Sequence, residues 1–340
     1  MTTLSASPPS IANTVPNSLR AALPLTHQAL LHIASGGHVF ADDIEWTEFI
    51  DLARNHALTP QVYHNLSSTH APHNVRQQIA HLYLNGCAQT RAQAERVRTA
   101  LGLLQERGIR TLVLKGLHLT LTIYADLGRR NFGDTDLFID RADVPAAHAA
   151  LVDAGYRIDH TPVLPAPREF RRFLACTQDK DYVYIGLDGS VIELHWALQR
   201  PSLGLIVTFE EAWEERRSVD HGGVAIPGLG NAHHLIFLST HGTRHRWRRL
   251  EWLFSLGELA DRLTEAEWQE VWDLAKRRGL TYAVAFSLHL VNELARPEHP
   301  FRMVGHAPAV RDRHTREVLD VIASGAPDSP RSSADRRAHV

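Results

Sequence analysis

From residue 18 to about 108, apolar positions recur at helical spacing. Asp42-Asp43 stand ahead of an apolar stripe over residues 44–53, an acidic start that suits a helix N-terminus. Pro60 punctuates, and residues 75–107 predict one long helix ended by Gly108. The period then shortens. Residues 110–114 predict a short apolar strand, and Gly116 opens a helix that runs to Tyr124. Residues 134–140 predict a second strand, 144–154 a helix stopped by Gly155, and 156–159 a short third strand. Residues 182–187 and 191–196 flank Asp188-Gly189, a favoured two-residue hairpin turn, so these strands are expected antiparallel. After Phe209 a helix leads into a strand pair at 217–219 and 224–226. Residues 231–294 are again helical, with breaks near Thr264 and Gly279.

The layout is an α+β core between helical flanks, with no internal repeat. The expected divisions are a frayed tail over 1–17, a helical region over 18–108, an α/β core over 109–228, a second helical region over 229–324 and a frayed tail over 325–340. Both tails are polar and rich in Pro and Ser.

At 340 residues and 44% hydrophobic, the chain is long enough to bury a sizeable core. Lysine plus arginine is 36 against 38 acidic residues, which removes the electrostatic reason to expect sequence-independent nucleic-acid binding. Cys87 and Cys176 lie far apart and form no metal-spaced pair. One long-range disulfide is conceivable, but a reduced, cytoplasmic setting is the simpler expectation. Neither a membrane-spanning run nor a signal peptide is expected. The 22 histidines are mostly scattered singly and are expected to face solvent.

The chemistry concentrates around Asp134 and Asp136. Alternation puts both carboxylates on one face of a strand, where two anions so close call for a cation, a shared proton or a base. Val191-Ile192-Glu193-Leu194-His195-Trp196 repeats the alternation and offers Glu193 as a third carboxylate, with His195 on the same side. Hard divalent cations such as Mg²⁺ take oxygen ligands and keep substrate phosphates in their shell. Two such ions can hold the attacking and leaving oxygens of an in-line displacement. In this reading Asp134, Asp136 and Glu193 are both metal ligands and catalytic residues, the third carboxylate also taking the nucleophile's proton. His195 orients Glu193, binds substrate, serves as base or is merely structural. Gly116 ends a strand and opens a helix, so its amides suit a phosphate, with Lys115 neutralising a triphosphate oxygen. Arg129 or Arg130 binds phosphate, pairs with Asp134 or forms a surface salt bridge. His241, His245, Arg249 and Trp252 follow helical spacing and make a basic and aromatic stripe, for packing or for nucleotide contact. His241 and His245 lack the glutamate of a zinc hydrolase motif.

Leu114-Lys115-Gly116, Tyr124-x-Asp126, Arg130, Asp134-x-Asp136-Leu137, Gly155-Tyr156, Glu193-Leu194-His195-Trp196 and Arg249-Leu250-x-Trp252 occur in this order. Over residues 25–295 the chain resembles the uncharacterised nucleotidyltransferase family of bacteria, within the DNA polymerase β-like nucleotidyltransferase superfamily. The resemblance implies a minimal nucleotidyltransferase fold, a mixed sheet with helices packed on it. It also implies Mg²⁺-dependent transfer of a nucleoside monophosphate from an NTP, with two ions (Mn²⁺ as a substitute) and Asp134, Asp136 and Glu193 as the carboxylate triad. Lys115, Gly116, Arg130, His195 and Arg249 are the expected nucleotide-binding residues. The chain departs from the pattern twice: Leu117 follows Gly116 where the superfamily has Ser or Gly, and Ser255 stands where the family often has an acid.

The leading expectation is therefore a nucleotidyltransferase acting on an NTP and a hydroxyl of a small molecule or peptide, with a natural-product tailoring role suggested by the family. Two alternatives accompany it: a catalytically impaired nucleotide- or partner-binding module, and a metal-dependent phosphohydrolase or phosphate-sugar transferase. Neither a membrane nor a nucleic acid is an expected partner.

Overall fold

The structure, a computed structural model, describes residues 19–37, 44–66, 71–159, 179–200, 206–297, 301 and 311–324. Both tails and Cys176 lie outside the described residues, and Cys87 is buried.

Twelve helices and one seven-stranded mixed sheet are found among the described residues. Helices α1 (Leu25–Ala34), α2 (Trp46–Asn55), α3 (Thr59–Leu66) and the long α4 (His73–Gln105) come first. The sheet is made of β1 (Thr111–Val113), β2 (Thr135–Ile139), β3 (Arg157–Ile158), β4 (Asp181–Ile185), β5 (Val191–His195), β6 (Arg217–His221) and β7 (Val224–Gly228). Among these strands lie α5 (Gly116–Tyr124), α6 (Val144–Asp153) and α7 (Phe209–Glu214). After them come α8 (Asn231–Arg244), α9 (Leu250–Ala260), α10 (Glu265–Arg278), α11 (Thr281–Leu290) and α12 (Asp312–Ala323). Local chemistry explains several ends. Thr208 with Glu211 and Thr264 with Glu267 form capping boxes that start α7 and α10.

The strand order is β3-β4-β5-β2-β1-β7-β6. Parallel pairing of β2 with β5 sits between antiparallel pairs on either side, which makes the sheet mixed. Period-two alternation sorts its residues into two cores. Val113, Leu137, Ile139, Ile192 and Leu194 meet α6 and the C-terminal half of α4. Leu112, Leu114 and Phe138 face the other core, built from the N-terminal and C-terminal helices. Asp136, Glu193 and His195 share parity with this second set, so the polar residues of the sheet look toward the helical flanks.

Two local expectations need correction. The β4–β5 hairpin does not use a two-residue turn. Gly186 N–H donates to the Ser190 carbonyl at 2.8 Å and Gly189 N–H to the Gly186 carbonyl at 3.0 Å, leaving three loop residues. Gly189, at φ +77°, occupies the left-handed position that follows such a turn. Residues 231–260 are also not one helix. Arg246 and Trp247 both take positive φ, 53° and 48°, and reverse the chain between α8 and α9. Trp247 is wholly buried and packs on Gly242, where a Cβ would stand 2.4 Å from the indole ring. Only a glycine there admits the tryptophan that anchors the break.

The histidines differ most from expectation. His27, His56, His118, His195, His233 and His234 are buried. Of the described histidines, only His73 and His81 are exposed. A neutral imidazole tolerates burial where an imidazolium does not, and burial pushes both His56 and His118 down to about 4. The unfolded chain, with imidazoles near 6.5, then binds more protons between pH 6.5 and 4. Stability is full above that window and is lost as pH falls through it. The urea midpoint is expected to fall across this interval, and His118→Asn to flatten the fall. A midpoint independent of pH from 6.5 to 4 would refute the assignment.

Candidate active site

The site is assembled at the centre of the sheet. β1 and β2 pair antiparallel, and beyond the last paired residues Leu114 N–H donates to the Asp136 carbonyl at 3.0 Å. This brings Lys115 back over β2. β5 lies parallel to β2 with Asp136 opposite Glu193 and Phe138 opposite His195. β4 is antiparallel to β5 with Asp181 opposite His195. Three neighbouring strands thus place four ionisable side chains on one face.

The distances are short. Lys115 Nζ lies 3.1 Å from Asp136 Oδ2 and 3.8 Å from Asp134 Oδ2. His195 Nε2 lies 3.2 Å from Asp136 Oδ1 and 3.6 Å from Glu193 Oε2. On its other edge, His195 Nδ1 is 3.3 Å from Lys180 Nζ and 3.5 Å from Asp181 Oδ2, and Lys180 pairs with Asp181. One ligand atom each from Asp136, Glu193 and His195 lies within 4.8 Å of the others, a spacing able to hold a metal ion. Asp134 lies outside this group of three; its side chain is 46% exposed, whereas that of Asp136 is 2% exposed. The two acids share a face but not a depth, because Asp134 precedes the strand.

The electrostatics follow from this crowding. The neighbouring Asp136 carboxylate pushes the Asp134 carboxyl above its ordinary range. Burial also opposes a charge on Glu193, but the hydrogen bond and charge of His195, with Lys115 and Lys180, hold it well below the usual carboxylate range. Burial and Lys180 oppose a proton on His195; Asp136, Glu193 and Asp181 more than offset them and raise it. Lys115 is desolvated, yet Asp136, Asp134 and Glu193 keep it firmly protonated. Lys115 thus supplies positive charge that the carboxylates demand, and His195 holds a proton more readily than a free imidazole.

Gly116 takes φ +49°, a left-handed turn into α5 that lets Phe132 lie over it, 3.2 Å from where a Cβ would stand. No side chain caps α5, and Leu117 is buried in the core.

Arg130 is not poised for a phosphate. Its guanidinium, 7% exposed, turns inward to Glu251, whose side chain is 3% exposed, at 2.5 Å. It also donates to Ser255 Oγ at 3.1 Å and Thr120 Oγ1 at 3.4 Å. Ser255 in turn donates to Glu251. The carboxylate that meets Arg130 and Ser255 thus stands one helical turn before Ser255 on α9.

His241, His245 and Trp252 gather despite the break between their helices. The ring centroids are 4.6 Å apart for His241 and His245, and 5.0 and 5.9 Å for each with Trp252. Burial, then Lys115, His245, Arg244 and Lys180, drives His241 well below its ordinary value, so both lysines of the site lie within electrostatic reach. Arg249, expected on the same stripe, instead stands half-buried at the N-cap position of α9, where its side chain makes no capping hydrogen bond. His56 is depressed by burial and His27, and Arg249 adds to that depression. Sequence reasoning missed Lys180, Asp181 and Glu251. The first two stand just ahead of the 182–187 stretch read as a strand, and Asp181 extends it by one residue to lie opposite His195; nothing local marks Glu251.

No helix among the described residues is long and apolar enough to cross a membrane. No curated protein matches the chain. A family model described as uncharacterised nucleotidyltransferase matches residues 42–296, more than half of the chain. With the mixed sheet and its central carboxylates, this match makes the chain a member of the uncharacterised nucleotidyltransferase family.

Proposed function

We propose that the protein transfers a nucleoside monophosphate from an NTP to a hydroxyl of a small molecule or peptide, at a divalent-cation site formed by Asp134, Asp136 and Glu193. The carrying observation is the register that sets Asp136 directly opposite Glu193. Divalent cations suit this donor set, because Asp136 Oδ2 is buried and receives no well-aligned hydrogen bond, Lys115 being its ionic neighbour. The repulsion that Asp136 exerts on Asp134 is itself affinity for a cation, which would offset the rise it causes in the Asp134 carboxyl. When bound, such ions neutralise triphosphate charge and polarise the reacting oxygens.

The protein's own groups complete the reading. Lys115 is already charged at the floor and exchanges carboxylate contacts for phosphate oxygens. The uncapped start of α5 at Gly116 presents amides to the same anion. Glu193, held anionic, serves better as a ligand than as a base, since a group of such low proton affinity removes protons poorly at neutral pH. The His241, His245 and Trp252 cluster and the helical flanks shape the acceptor and base pocket.

Incubation with labelled ATP, CTP, GTP and UTP, Mg²⁺ or Mn²⁺ and candidate acceptors tests this reading. Label on the acceptor with one pyrophosphate released per transfer is expected. Orthophosphate as the sole product would assign a phosphohydrolase instead, and absence of metal-dependent NTP binding in calorimetry would remove the transferase reading.

A further inference from the structure

His195 is placed as more than a neighbour of the carboxylates. Atoms about 2.1 Å from one ion lie about 3.0 Å apart at octahedral angles and about 3.4 Å apart at tetrahedral ones. Nε2 of His195 lies 3.2 Å from Asp136 Oδ1 and 3.6 Å from Glu193 Oε2, close to these spacings toward both carboxylates at once. Ligating histidines donate their second N–H to a carboxylate; here Nδ1 lies 3.3 Å from Lys180 Nζ, with a carboxylate just behind. Asp181, directly across from His195 on β4, holds Oδ2 at 3.5 Å from Nδ1. His195 and Asp136 are each 3% exposed, so the imidazole is fixed by packing.

We propose that Nε2 of His195 is itself a metal ligand, making a two-carboxylate and one-imidazole centre with Asp136 and Glu193, and that Asp181 is its positioning residue. This rests on the proposed metal-dependent reading of the same site. Lys180 and Asp181 together accommodate either tautomer. With Nδ1 accepting from Lys180, Nε2–H donates to Asp136; with Nδ1–H donating to Asp181, the Nε2 lone pair is turned to the cation. The nitrogen donor shifts preference from Mg²⁺, which favours all-oxygen shells, toward Mn²⁺ or Co²⁺.

Pulsed EPR of the full-length protein loaded with Mn²⁺ reads this directly. Nuclear modulation from a coordinated ¹⁴N is expected in the native protein. His195→Gln, whose amide oxygen brings no coordinating nitrogen, should lose it and lower the ratio of Mn²⁺ to Mg²⁺ affinity on the order of tenfold. Asp181→Asn should keep the modulation while weakening Mn²⁺ binding about 10–100-fold. Circular dichroism confirms that each variant is folded. Bound Mn²⁺ without nitrogen coupling in the native protein, or an unchanged Mn²⁺ to Mg²⁺ ratio in His195→Gln, overturns the inference and leaves the transferase reading intact. Nitrogen coupling in a protein that transfers no nucleotide supports the ligand assignment and removes the transferase reading instead.

Discussion

Asp136→Asn is expected to lower nucleotidyl transfer by at least about 10³-fold, equivalent to about 4 kcal/mol of transition-state stabilisation. Asp136 is the point where every part of the site meets: Lys115 on one oxygen, His195 on the other, and Glu193 across the strand pair. The substitution keeps the shape of the side chain and removes one anionic ligand, so cation affinity and phosphate neutralisation fall together. The fold should survive. Lys115 retains Asp134 at 3.8 Å, and His195 retains Glu193 at 3.6 Å and Asp181 at 3.5 Å. Asp51→Asn, on the exposed face of α2, should leave the rate unchanged. Single-turnover pyrophosphate release with matched circular dichroism is the measurement. A rate within tenfold of the native protein would exclude Asp136 from the reaction.

Arg130→Ala should destabilise the protein by about 3–5 kcal/mol, because it strands a buried carboxylate. Glu251 would keep Ser255 as a hydrogen-bond donor but lose the Arg130 guanidinium set against it. Glu251→Ala should cost a similar amount by stranding Arg130 instead. The double substitution Arg130→Met with Glu251→Leu should recover most of the loss, since a buried ion pair contributes little beyond what a well-packed apolar pair supplies. Urea titration of the four proteins compares the two single losses with the apolar replacement. A loss below about 1 kcal/mol in the single variants would mean that water reaches the pair. The pair joins the segment ahead of β2 to α9, the helix that also carries Trp252, so its rupture should also loosen the His241, His245 and Trp252 cluster.

Most signals carried by neighbours in the chain were read correctly, the two-residue turn at Asp188-Gly189 being an exception. The long helix, the Gly116 to Tyr124 helix and the strand carrying Asp136 all follow from period and punctuation, and the observed elements match within a few residues. Asp134, Asp136, Glu193 and Lys115 were visible as residue types at fixed spacing. The break at Arg246 and Trp247 was not visible, because neither is a turn residue and the reversal depends on an indole seated on Gly242, five residues earlier. Histidine burial was equally hidden. Whether an imidazole faces water depends on which helix covers it, and each histidine alone reads as polar.

The amino-acid sequence by itself determined the α+β class, the helical flanks and the presence of a paired-carboxylate strand with a third acid and a histidine on another, because alternation and capping are properties of adjacent residues. Tertiary structure alone decided that β5 lies parallel to β2 with Glu193 facing Asp136, that Asp181 backs His195, and that Arg130 turns to Glu251 rather than to the mouth. These pairings join residues far apart in the chain. Their partners are selected by how whole elements pack over two cores, and no local pattern records that choice.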